Sequence, residues 1–180
     1  MEDQEILEKF RQAESKNYAF NLLVRKYQRR IYNHIRKMVI DHDDADDLTQ
    51  ETFVKVWQNL EKFKEESKLF TWIYRIATNE CLNFLRKKRN KFFLPIVDLS
   101  KDLLRKLETS DYISGEEIAI KLQKALLSLP EKQRLVFNMK YFDDLKYEEI
   151  SEILQTSVGA LKASYHHAVK KIEDAMKKEI

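Results

Sequence analysis

The chain has one cysteine, two glycines and two prolines among 180 residues. A lone thiol, Cys81, excludes an internal disulfide and suits a reducing compartment, so a cytoplasmic location is expected. No stretch approaches the about 18 apolar residues that a membrane span needs, and no direct membrane insertion is expected. The first ten residues, MEDQEILEKF, are acidic and carry no long apolar run, which argues against a signal peptide. Neither sign of charge dominates: 33 Lys and Arg face 30 Asp and Glu, for a net charge of +3. The placement of charge therefore matters more than its sum. Catalytic signatures are missing too. There is no nucleophile elbow, no Gly-rich phosphate loop and no C-x-x-C, so the expectation is a non-enzymatic protein with no catalytic residue, no metal and no cofactor.

What is there is helical in character. Gly115, Gly159, Pro95 and Pro130 interrupt little, charged residues make up 35% of the chain, and few β-branched runs alternate polar with apolar. This composition predicts an all-α protein with one sizeable core or two small ones. The stretch IDHDDADDLTQETFVKVW (40–57) packs five aspartates into residues 41–47. A calcium loop is excluded by spacing: counted from Asp41, the sixth position is Asp46 rather than Gly and the twelfth is Thr52 rather than Glu. A helix start fits better. Asp41 or Asp43 can cap it, the acids suit its positive end, and Phe53, Val56, Trp57 and Leu60 form one apolar face.

Helices are predicted over a short N-terminal segment, over Tyr18 to Ile40, from the acidic start to Leu60, and over Phe70 to Arg89. The polar segment EKFKEESK reads as a loop. From KFFLPIVDLSKDLLRKLETSDYISG the pattern is irregular, which predicts a flexible connector with one short helical turn. Ser114 and Glu117 match a capping box for the helix that resumes towards Ser128, and Pro130 suits the first turn of the next. KYEEISEILQ, a tight break at TS, and a longer helix capped by Ser157 form a helix-turn-helix pattern. Two small helical domains result: residues 1–90, a connector at 91–113, and residues 114–180.

Two faces carry candidate chemistry. In FTWIYRIATNECLNFLRKKRN, Ile73, Ala77, Cys81 and Phe84 share a core face. Trp72, Arg75, Asn79, Asn83 and Arg86 step along a neighbouring one. Aromatics stack on bases, amides pair with base edges and Arg holds phosphates, so the second stripe suits an unpaired nucleic-acid strand. The basic run of Arg86, Lys87, Lys88, Arg89 and Lys91 extends it. The same residues are equally consistent with a core Trp72 and a solvated, dipole-favoured helix end. In the last helix, Lys162, Ala163, His166, His167, Lys170 and Lys171 combine small residues with cations, as a groove-entering helix requires. Adjacent His166 and His167 point about 100° apart, which is wrong for a metal pair. His34 and His42 read as ordinary surface histidines.

Taken together, DDADDLTQETFVKVW, FTWIYRIATNECLNFLRKKRN, and LSLPEKQRLVFNMKYFDDLKYEEISEIL followed by SVGALKASYHHAVKKI resemble the extracytoplasmic-function (ECF) sigma factors of bacterial RNA polymerase. The blocks occur in the family's order. The resemblance implies an alternative sigma factor that binds core RNA polymerase and directs promoter recognition. Its domain two would dock on the clamp helices of the polymerase β′ subunit through Asp47, Gln50, Glu51 and Val54. The stripe from Trp72 to Arg86 would read and open the −10 element. Domain four, a helix-turn-helix, would read the −35 element of promoter DNA through Lys162, Ala163, Ser164, His166, His167 and Lys170. An anti-sigma factor is a further partner that the resemblance makes plausible.

This chain departs from the family pattern at four places. Lys146 stands where Ser or Thr often caps the first domain-four reading helix, and Gln155 stands at a turn that usually has Gly. Ser164 and His167 occupy positions that commonly carry Arg, which predicts weaker or altered upstream specificity. A second hypothesis is a two-domain helix-turn-helix DNA-binding regulator acting without the polymerase. It would need an α/β sensor where this chain has an all-helical half with a Trp-Arg-Asn stripe. A helical protein-interaction module is a third, and it would not need the cationic run.

Overall fold

A computed structural model describes residues 2–91, 96–109 and 117–178. Nine α-helices are present and no strand occurs among the described residues. They are α1 (Asp3–Phe10), α2 (Lys16–Val39), α3 (His42–Asn59), α4 (Leu69–Lys91), α5 (Ile96–Thr109), α6 (Glu117–Leu127), α7 (Glu131–Phe137), α8 (Tyr147–Leu154) and α9 (Val158–Lys178). A 3-10 turn follows α3 and a π-turn over Asn138–Phe142 extends α7.

The first four helices form one bundle. Leu23, Ile31 and Ile35 of α2, Val56 of α3, and Ile73, Ala77 and Cys81 of α4 are closed off from solvent. Three of the four residues predicted for the core face of α4 are therefore inside, Phe84 being half-buried, and burial pushes the Cys81 thiol well above its ordinary value. Phe10 and Phe20 meet the edge of Trp57 at 5.4 and 5.0 Å between ring centres, which fastens α1 to α2 and α3. Of the two candidate caps for α3, Asp41 is the one used: its carboxylate accepts the Asp44 backbone N–H at 3.0 Å.

In the C-terminal half, α8 and α9 form the helix-turn-helix. Gln155 takes the left-handed conformation (φ 50°, ψ 46°) that a missing glycine forces on a side-chain-bearing residue. Lys146 cannot cap α8 itself, and Glu149 takes over by accepting the Lys146 backbone N–H at 3.0 Å. Ser157 caps α9 as predicted, accepting from Ala160 N at 3.3 Å. The cap predicted at Ser114 lies outside the described residues.

Two expectations are revised. The sequence predicts an irregular connector with one short turn, but it contains the 14-residue helix α5. Leu103 and Leu107 bury one turn apart against Ile40 and Leu127, and Lys106 bridges Asp41 at 2.9 Å and Asp44 at 3.0 Å. Burial works against the Lys106 charge, but the two carboxylates outweigh it and hold the ammonium above its ordinary value. His34 is the second revision. It is fully buried rather than on the surface, because its partners come from distant segments: Thr78 at 2.9 Å and Asp143 at 3.3 Å. His42 is exposed, hydrogen-bonded to the Tyr32 hydroxyl at 2.7 Å. The two halves also touch, and Val136, Met139 and Ile150 belong to the same apolar cluster as the α2–α4 core.

Candidate functional site

Asp47, Gln50, Glu51 and Val54 are all exposed on α3, and their spacing places them on one face, opposite the buried Ala45, Leu48, Phe53 and Val56. Val54 is 54% exposed. It stands at the rim of an apolar cleft between α2 and α3, lined by Phe20, Val24, Gln50, Phe53 and Trp57 among others. An apolar floor with amide and carboxylate groups along its edge can hold a partner helix and fix its register.

On α4, Asn79, Asn83 and Arg86 are exposed, and Trp72 and Arg75 are half-buried. Trp72 is thus neither fully core nor free. Its ring packs on Phe63 at 5.1 Å between centres, with the planes 40° apart. Phe63 fixes the indole's position while part of its surface stays open, the condition a base-stacking platform needs. The basic run beyond is partly paired, with Lys88 reaching Asp102 of α5 at 3.1 Å.

On α9, Lys162, Ala163, His166, His167 and Lys170 are exposed and share one face. Ser164 is half-buried and sits at the border of that face, next to the side that buries Leu161 and Ala168. Tyr165 points inward and stacks on Phe137 at 5.7 Å, which holds α9 against α7. Among the described residues, no group of His, Cys, Asp and Glu is placed to hold a metal ion, and no helix is long and apolar enough to cross a membrane.

Sequence reasoning missed one cluster. Asp143, after the π-turn, is buried between α2 and α4, where its carboxylate meets Tyr74, His34 and Lys37. No local pattern signals it, because the partners lie 69, 109 and 106 residues away.

Comparison with known proteins supports this architecture. Residues 23–91 match the family model for Sigma-70 region 2, and residues 119–172 match that for Sigma-70, region 4. The ECF RNA polymerase sigma factor SigW of Bacillus subtilis is 31% identical over 170 residues, covering 90% of this chain and 89% of that protein. The ECF RNA polymerase sigma-E factor of Escherichia coli is 29% identical over 180 residues, covering 96% and 93%. The fold is shared with CnrH, solved with the cytosolic domain of CnrY (TM-score 0.72, 21% identity, 99% of both chains). It is shared also with RpoE of Bartonella quintana, solved with the anti-sigma factor NepR (TM-score 0.67, 21% identity, 88% of this chain and 96% of that one). On its sequence, from the acidic α3 to the helix-turn-helix, the chain belongs to the ECF RNA polymerase sigma factors.

Proposed function

We propose that this chain is an alternative sigma factor: it binds core RNA polymerase and directs promoter recognition and transcription initiation, without an enzymatic activity of its own and in the cytoplasm. Residues 1–90 act as domain two and residues 114–180 as domain four, with 91–113 between them. The observation that carries the assignment is the exposed Val54, set with Asp47, Gln50 and Glu51 at the rim of the α2–α3 cleft. That face contributes nothing to the chain's own core, and Val54 continues the apolar cleft that a partner helix would cover. Trp72, Arg75, Asn79, Asn83 and Arg86 hold the −10 strand, and Lys162, Ala163, Ser164, His166, His167 and Lys170 face the −35 duplex. An anti-sigma factor is a partner of the same kind as those bound to the structurally similar RpoE.

The test is direct. Asp47→Lys combined with Glu51→Lys leaves the buried face of α3 untouched and reverses two charges on the docking face. Affinity for core RNA polymerase is expected to fall at least about tenfold, about 1.4 kcal/mol, with helicity unchanged by circular dichroism. A folded double variant that binds core as tightly as the parent removes the assignment.

A further inference from the structure

The N-terminal half contains a ready-made receptor for a carboxylate. Tyr74 and His34 are both fully buried, yet both direct a polar atom to one point between α2 and α4. Lys37 reaches that point from the next turn of α2, and Arg30 arrives from one turn earlier. All four meet Asp143 of the C-terminal half. The Tyr74 hydroxyl and the His34 Nδ1–H donate to Oδ2, Lys37 Nζ donates to Oδ1, and Arg30 Nη2 donates to the Asp143 backbone carbonyl at 3.1 Å. Arg30 is itself held in place over the Phe70 ring, 4.0 Å from its centre. Burial raises the cost of the Asp143 charge, but His34 and Lys37 outweigh it and hold the carboxyl below its ordinary value.

A second contact lies close by. Lys68, the residue before α4, bridges Glu149 of α8 at 3.0 Å. The Lys68 backbone carbonyl accepts the Trp72 N–H at 3.0 Å, one turn before Trp72. The C-terminal half is therefore seated beside the stripe that begins at Trp72.

We propose that Tyr74, His34 and Lys37 form a carboxylate-binding site on the N-terminal half, with Arg30 holding the adjoining backbone carbonyl, that its occupant is Asp143 of the same chain, and that this contact holds the free protein closed. Removing either partner strands buried polar groups, so the contact favours one closed arrangement over loosely associated halves. Closure has a cost for promoter reading, and here the inference rests on the function proposed above. Elements at −10 and −35 are about 25 base pairs apart, on the order of 85 Å of duplex. A compact chain of this length spans only about 40 Å, judged from a radius of gyration near 16 Å. The closed form cannot set both helices on DNA at once, so the Asp143 contact must break before the promoter is read.

The closure can be measured in the free full-length chain, without polymerase or DNA, so it stands or falls separately from the docking experiment. Dyes are attached at Glu14→Cys and Glu173→Cys, both exposed positions far from the cluster in sequence, with the buried Cys81 protected. The parent is expected to show one short distance. In Asp143→Ala, the ratio of open to closed molecules is expected to rise on the order of a hundredfold, as loss of a buried, hydrogen-bonded charge implies. Lys37→Gln, at the rim of the cluster, serves as the second variant should Asp143→Ala fail to fold, with a smaller shift in the same direction. Folded variants that keep the parent distance overturn the proposal, as does a parent chain that is already open.

Discussion

Asp41 does two jobs in one side chain. One oxygen accepts the backbone N–H of Asp44 and the other faces Lys106 of α5. The Asp44 N–H is the main cause that holds its carboxyl below the ordinary value; burial opposes it, and Lys106 adds to the lowering. Asp43, its rival in the sequence, is exposed and makes no cap. Asp41→Ala is therefore expected to lower stability by about 1 kcal/mol in urea unfolding, the usual worth of an N-cap, while Asp43→Ala changes it by less than about 0.5 kcal/mol. Equal losses at both positions reject the cap assignment. The five aspartates are thus unequal: one caps, Asp44 helps hold the connector, and Asp47 faces outward.

At the scale of elements, α9 makes a prediction that separates its residue types. Lys170 is exposed on the same face as His166 and His167, and the proposed function gives it a phosphate contact. Lys170→Gln should weaken holoenzyme binding to all promoters alike and lower the salt slope by about one. His167→Ala should instead change which upstream element is selected from a random pool. A His variant with unchanged preference and a Lys variant with unchanged salt slope together remove α9 as the reader. Much of this was legible in the sequence, because α2, α3, α4, α8 and α9 each bury one face of a regular amphipathic helix, and periodicity reports that face. What was not legible depended on distant residues. α5 looked irregular because Leu103 and Leu107 find Ile40 and Leu127 only in the folded chain. His34 looked like a surface residue because Thr78 and Asp143 are 44 and 109 positions away. The interface stripes could be drawn from spacing, but not that Trp72 is half-covered by Phe63 or that Ser164 sits at the edge of its face.

For the whole molecule, the contact between the halves should respond to acid, and the sign follows from two groups. Burial holds His34 below its ordinary value of 6.5, with the neighbouring Asp143 opposing only in part, so the closed form keeps it neutral. On opening, His34 recovers its ordinary affinity for a proton. Falling pH therefore favours the open form from about 6.5 downward, by about tenfold per pH unit until the closed-form value is reached. Asp143 adds to this below its ordinary value of 3.8, where the released carboxyl takes up a proton first. Lys37 and Arg30 also face the cluster, as does Tyr74; burial and the Asp143 carboxylate push its hydroxyl well above its ordinary value. The interdomain distance, followed between pH 7.5 and 5, should lengthen, and His34→Gln should flatten the response. A parent distance that does not change over that range refutes the linkage. There is one more consequence of placing Asp143 and its receptor on a single polypeptide. Their encounter is unimolecular, with an effective concentration in the millimolar range for a short tether. Dilution does not open the chain, and raising its level in the cell does not close it. A partner that binds only the open form must outcompete that local concentration, so its apparent affinity is set by how tightly the chain holds itself, whatever the number of copies present.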